Sequence, residues 1–240
     1  MWTICKKEWL QFFSSITGYL AIVIFLLLTG LFLFVFPDSS LLNFGYASLN
    51  LFFDLAPWLL LFFIPTITMK SFADEFKSGA FEILKTMPIT SPQLVWGKFF
   101  GAFLITFTAL FPTIIYAFTI QHLSSVGGID VAATIGSYIG LLFLSAVFTA
   151  VGICSSSFTN NTIIAFIIGA FVCFLLYTGF DAISKLPVLK NGWDYYTEML
   201  GINFHYLNIS KGAIDTRDVI YFLCMIILFL FITQKNIEKK

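Results

Sequence analysis

The side chains of this 240-residue chain that could do chemistry gather between two uncharged apolar stretches, in residues 70–98, KSFADEFKSGAFEILKTMPITSPQLVWGK. Asp74, Glu75, Lys77, Ser78, Glu82 and Lys85 put both charge signs and a hydroxyl within two helical turns of Phe81. Such a set suits charge-assisted recognition of a partner better than bond making. On one continuous helix, Phe72, Phe76, Gly79, Ala80, Ile83 and Leu84 share a side, and Lys70, Asp74, Lys77 and Lys85 lie opposite. Phe81 then projects from the charged side, as aromatic anchors of protein interfaces do. Pro88 biases the chain out of helix, and Thr90-Ser91-Pro92 offers a fresh start, so the segment reads as helix, turn, helix. Two uses fit it: an amphipathic helix lying on a membrane surface, or a docking element. Asp74, Glu75 and Glu82 favour docking, because acidic charge is poorly placed against anionic lipid.

Elsewhere the sequence holds little that could catalyse. HExxH, GxSxG and the phosphate-binding Gly-x4-Gly-Lys-Ser/Thr loop are missing; Gly97-Lys98 is followed by Phe99 and has Pro92 five residues earlier. The chain is therefore expected to be no enzyme and to bind no cofactor or metal of its own. His122 and His205 are expected at the surface of outer loops, since a metal site needs three or four ligands. Cys5 precedes the first apolar run and Cys154, Cys173 and Cys224 fall in later ones, a distribution of packing residues rather than of disulfides. With zero formal net charge, no basic stripe addresses a nucleic acid.

The elements that must position the polar segment are dictated by composition. Apolar residues make up 59% of the chain and charged residues 11%, with a mean hydropathy of +0.93. Six apolar runs approach the length of about 20 helical residues that crosses a bilayer core: 18–36, 56–69, 99–120, 137–158, 163–180 and 219–233, the second and sixth being short. The expected fold is thus an all-α integral membrane protein, one domain over residues 1–240 with six transmembrane helices. The first run lacks a cleavage site and is expected to be a retained span. Lys6 and Lys7, then Lys70, Lys77, Lys85 and Lys98, then Lys235, Lys239 and Lys240 fall on one side, whereas 37–55 and 121–136 contain no Lys or Arg. Positive residues collect in the cytoplasm, which places both termini there; the segment 181–218, with Lys185, Lys190, Lys211 and Arg217, is the exception. In residues 1–17, Trp2, Cys5, Trp9, Phe12, Phe13 and Ile16 share a face away from Lys7, Gln11 and Ser15, the pattern of an interfacial elbow helix in contact with membrane lipid.

None of the six runs contains Asp, Glu, Lys, Arg or His. Ion-coupled carriers, pumps and voltage sensors place such groups in their helices, so these classes are disfavoured. Pro65 and Pro112 are expected to kink their helices. Gly136 and Gly140, continued by Ser145, Thr149, Gly152 and Ser156, form a stripe of small residues on the fourth run. It allows close helix packing, and a substrate-lining face or a dimer seam are its other uses.

Glu75 to Lys98, with Gly79, Phe81-Glu82-Ile83-Leu84, Pro88-Ile89 and Gly97-Lys98, resembles the first cytoplasmic loop of type-2 ABC transporter permeases, with Ala80 in place of the usual Thr. The likeness extends through Gly152, Ser155-Ser156-Ser157 and Asn160-Asn161 to the stretch from His205 to Asp218, which is most similar to permeases of gliding-motility transporters in Bacteroidetes. The resemblance implies the membrane half of an ABC transporter in the bacterial inner membrane, with ATP bound by a separate ABC subunit. The loop helix would be the coupling helix, with Phe81 and Glu82 as its foremost contacts. It further implies pairing with a second permease copy or a related membrane subunit, and re-entrant outer helices before the sixth span. The other use of such a chain is as a non-transporting anchor or force-transmitting subunit of a motility or secretion assembly.

Overall fold

The computed structural model describes residues 1–36, 48–124, 128–186, 193–212 and 215–239. Parts of the three expected outer loops, with Lys190, and the terminal Lys240 lie outside the described residues. Every regular element among those described is helical: α1 (Trp2–Phe13), α2 (Ile16–Phe34), α3 (Asn50–Thr68), α4 (Lys70–Ser78), α5 (Ala80–Thr86), α6 (Ser91–Leu110), α7 (Ile114–Leu123), α8 (Val131–Phe158), α9 (Thr162–Phe174), α10 (Phe180–Ser184), α11 (Trp193–Met199), α12 (Ile202–Ser210) and α13 (Thr216–Lys239). Six continuous helical stretches are long and apolar enough to cross a membrane: Ile16–Phe34, Asn50–Ser78, Ser91–Leu123, Val131–Phe158, Thr162–Ser184 and Thr216–Lys239. They run past the apolar runs into polar sequence, so the second and sixth are no longer short.

Local chemistry explains the boundaries. Asp130 caps α8 by accepting a hydrogen bond from the Ala133 amide at 3.1 Å, and Asn161 caps α9 through the Ile163 amide at 2.9 Å. Thr90 and Gln93 form a reciprocal capping box at the start of α6, with Pro92 in its first turn. Pro112 lies in a 3-10 turn, Phe111–Thr113, that joins α6 to α7; with no N–H to offer and a ring in the way, it interrupts the α-helical ladder there. A π-turn over Leu175–Gly179 joins α9 to α10.

The core surrounds α8, which packs against α3, α6, α9, α12 and α13. Gly136 and Gly140 make room for α12: a Cβ at Gly136 would stand 2.6 Å from the Ile209 carbonyl oxygen, and one at Gly140 would stand 3.2 Å from the Tyr206 ring. A Cβ at Gly152 would collide with Thr68 of α3. Ser145, Thr149 and Ser156 are buried between these contacts, their hydroxyls returned to carbonyls of their own helix. The small-residue stripe is therefore covered by this chain's own helices.

Cross-helix bonds define two ends. At one end Tyr206 donates to the Phe53 carbonyl at 2.7 Å, Tyr138 to that of Thr113 at 2.9 Å and Ser137 to that of Ser210 at 3.1 Å. At the other, Asn236 of α13 donates to the Ser157 carbonyl of α8 at 2.7 Å, and α4 and α6 also pack against α8. His205 belongs to the first end and Lys98 to the second.

Candidate functional site

The polar segment 70–98 is two helices and not one. α4 ends at Gly79, whose φ of +72° lies in the left-handed region that closes helices and suits glycine. α5 then sets out in a new direction and ends at Met87, extended ahead of Pro88. The bend corrects the single-helix wheel. Phe81, expected to project from the charged face, is only 5% exposed and packs edge-on against Phe76, with ring centroids 4.8 Å apart. Phe76 stacks in turn on Phe72. Ile83, assigned to the covered side, is 63% exposed, and Met87 is exposed beside it.

Of the residues expected to dock a partner, Asp74, Lys77, Ser78, Glu82 and Lys85 are exposed, whereas Phe81 and Glu75 are engaged inside the chain. Lys85 places its ammonium 5.4 Å above the Phe81 ring. Ser78 donates to the Asp74 carbonyl of its own helix at 2.8 Å.

Glu75 belongs to a node built on Lys98. Although Lys98 closes the polar segment in sequence, in the structure it stands in the second turn of α6, 1% exposed. Its three ammonium protons meet three acceptors: Glu8 Oε1 of α1 at 2.8 Å, Glu75 Oε1 of α4 at 2.9 Å and the Ser71 carbonyl at 2.6 Å. The Phe72 ring lies 4.8 Å from the same nitrogen. One side chain thus ties α1, α4 and α6 together, and the Phe72, Phe76 and Phe81 rings continue that contact to the first turn of α5.

Helix α1 reaches Lys98 because α6 carries a second small-residue pair, Gly97 and Gly101, to which the sequence reading assigned no role. A Cβ at Gly97 would stand 2.9 Å from Ile4 Cβ, and one at Gly101 would stand 2.8 Å from Glu8 Cβ. The G-x-x-x-G spacing of Gly97-Lys98-Phe99-Phe100-Gly101 was the available signal. Of the expected lipid-contacting face of α1, Cys5 is buried against α6, while Trp2 is 74% exposed. Burial, helped by the nearby Glu8 carboxylate, pushes the Cys5 thiol above its ordinary pKa.

The His205 end holds a different node. His205, expected at the surface, is buried on α12 beside the buried Asp218 of α13. Nδ1 lies 2.6 Å from Asp218 Oδ1 and Nε2 lies 2.8 Å from the Met199 carbonyl oxygen, and the ring stacks on Tyr221 at 3.9 Å. A carbonyl can only accept, so Nε2 carries a proton, and a second proton must lie between Nδ1 and the carboxylate oxygen. His122 is exposed on the last turn of α7. Among the described residues no group of three or more His, Cys, Asp or Glu side chains is arranged to hold a metal ion.

Neither a family model nor a curated protein matches the chain.

Proposed function

We propose that the chain is the membrane-spanning permease subunit of a type-2 ABC transporter of the gliding-motility kind, acting in the bacterial inner membrane with both termini and the α4–α5 element in the cytoplasm. ATP would be bound and hydrolysed by a separate ABC subunit docked on α4–α5, and a second permease copy or related membrane subunit would complete the pathway. The observation that carries this reading is the construction of the α4–α5 element. Its tip is charged and exposed, while its base is fastened to α1 and α6 by one buried lysine. A displacement at the tip would therefore be delivered to the spans rather than absorbed in a loop. Small shifts on such a packed element bias one arrangement of helices over another. The sequence resemblance and the lysine distribution point the same way.

The bend at Gly79 revises the contact set. Glu82, Ile83, Lys85 and Met87 form the exposed face of α5, so they replace Phe81 as the foremost contacts. Ile83→Asp and Glu82→Lys should leave membrane insertion intact and weaken co-purification with the ATP-binding subunit about tenfold, as loss of a central interface contact does. Full retention of the partner and of its ATP turnover by both variants would refute docking at this face.

A further inference from the structure

Two cavities meet at the Lys98 end. An apolar trough of about 600 Å³ runs between α2 and α3, lined by residues such as Ala21, Phe25, Leu59 and Phe63. A polar recess of about 230 Å³ opens between α1, α4 and α6, lined by Glu8, Asp74, Glu75 and Ser71 among others. Phe12, Thr17, Ile67 and Lys70 line both, so the two adjoin, with Lys70 at the junction.

The recess contains polar atoms left without a partner. Ser71 Oγ, on a residue 9% exposed, and Glu75 Oε2 are both buried and neither makes a hydrogen bond. Glu75 uses its other oxygen for Lys98 and, at 3.4 Å, for Lys7. An unsatisfied buried carboxylate oxygen costs stability unless a donor reaches it. The charges around the recess are Glu8, Asp74 and Glu75 against Lys7, Lys70 and Lys98, so that once Lys70 pairs with a phosphate one negative charge is left for an ammonium. Lys70 itself is exposed and takes part in no salt bridge among the described residues.

We propose that this composite cavity binds one phospholipid with a primary-ammonium headgroup, of the phosphoethanolamine type. One acyl chain fills the trough between α2 and α3, the phosphate pairs with Lys70, and the ammonium enters the recess and donates to Glu75 Oε2 and Ser71 Oγ. The order of chemistries matches the ligand's: apolar, then cationic for the phosphate, then anionic for the ammonium. A choline head has no N–H to donate, and a glycerol head has no positive charge for the acidic recess. The proposal needs only a membrane setting and is independent of any transport role.

Native mass spectrometry of the detergent-purified full chain, offered an equimolar mixture of palmitoyl-oleoyl phosphatidylethanolamine, phosphatidylglycerol and phosphatidylcholine, tests it. One phosphatidylethanolamine per chain should be retained about tenfold over either competitor, the scale of one charge-assisted hydrogen bond. Lys70→Gln and the trough-filling Ala21→Trp should each lower retention of phosphatidylethanolamine about tenfold, while Ile135→Trp, in the separate groove between α7 and α8, should not. Equal retention of the three lipids, preference for phosphatidylglycerol, or unchanged retention of phosphatidylethanolamine in both Lys70→Gln and Ala21→Trp would overturn the site. Should Lys70→Gln fail to fold, Ala21→Trp decides alone, because it leaves every charge in place.

Discussion

The Lys98 and His205 nodes each join three helices, but they do so by different electrostatics. At Lys98 an ammonium with three protons faces three acceptors from α1 and α4, two of them carboxylates. At His205 a single proton shared with Asp218 holds α12 to α13, and the opposite ring nitrogen ties in the carbonyl that ends α11. The first depends on net charge balance; the second depends on a donor facing an acceptor. A charge removed from the first strands its partners, whereas a charge removed from the second matters little if a donor remains.

The comparison fails if the two nodes respond alike to neutralisation. The largest effect is expected for Lys98→Met, which leaves Glu8 and Glu75 facing each other without their cation and should cost about 3 kcal/mol in thermal unfolding of the detergent-solubilised protein. Adding Glu8→Gln and Glu75→Gln to Lys98→Met should recover much of that loss; no recovery would show that packing, and not charge, holds the node. At the other end, Asp218→Leu should cost about 2 kcal/mol because the buried Nδ1 loses its partner. Asp218→Asn, whose amide can present an N–H to Nδ1, should cost less than about 1 kcal/mol. Equal losses for the two Asp218 variants would mean that an ion pair is required there too.

A third measurement sharpens the Lys98 side. Cys5 lies under α6 with its thiol pushed above the ordinary range, so alkylation by a maleimide at pH 7 should lag well behind that of a free thiol. Lys98→Met should accelerate it several-fold by releasing α1, and Asp218→Leu should leave it unchanged, as read by peptide mass mapping. The smallest effect belongs to the tip of α5: Ile83→Asp should move the unfolding temperature by an amount equivalent to less than about 0.5 kcal/mol. A larger loss would show Ile83 to be part of the fold and unsuited to report docking alone.

Much of the architecture could be read from residue order because its causes are local. Hydrophobic run length set the six span-length helices, Thr90-Ser91-Pro92 set the start of α6, and Pro112 set the break before α7. The wheel across 70–85 failed at one residue. Gly79 was read as part of a continuous apolar side, but its left-handed conformation turned α5, buried Phe81 and exposed Ile83. Gly97 and Gly101 were legible as a spacing, yet nothing local said that α1 would fill it.

The sequence by itself determined that this chain is helical, that six stretches suit a bilayer, and that polar chemistry concentrates near residues 70–98, because run length, capping and charge are properties of neighbouring residues. Only the tertiary structure decided which of those polar groups face outward. Lys98 looked like the end of a loop and became a buried clamp; His205 looked like a surface residue and became half of a buried pair. Their partners lie 90 and 13 residues away in Glu8 and Asp218, and a contact at such distance arises when helices dock, which no periodicity within one segment encodes.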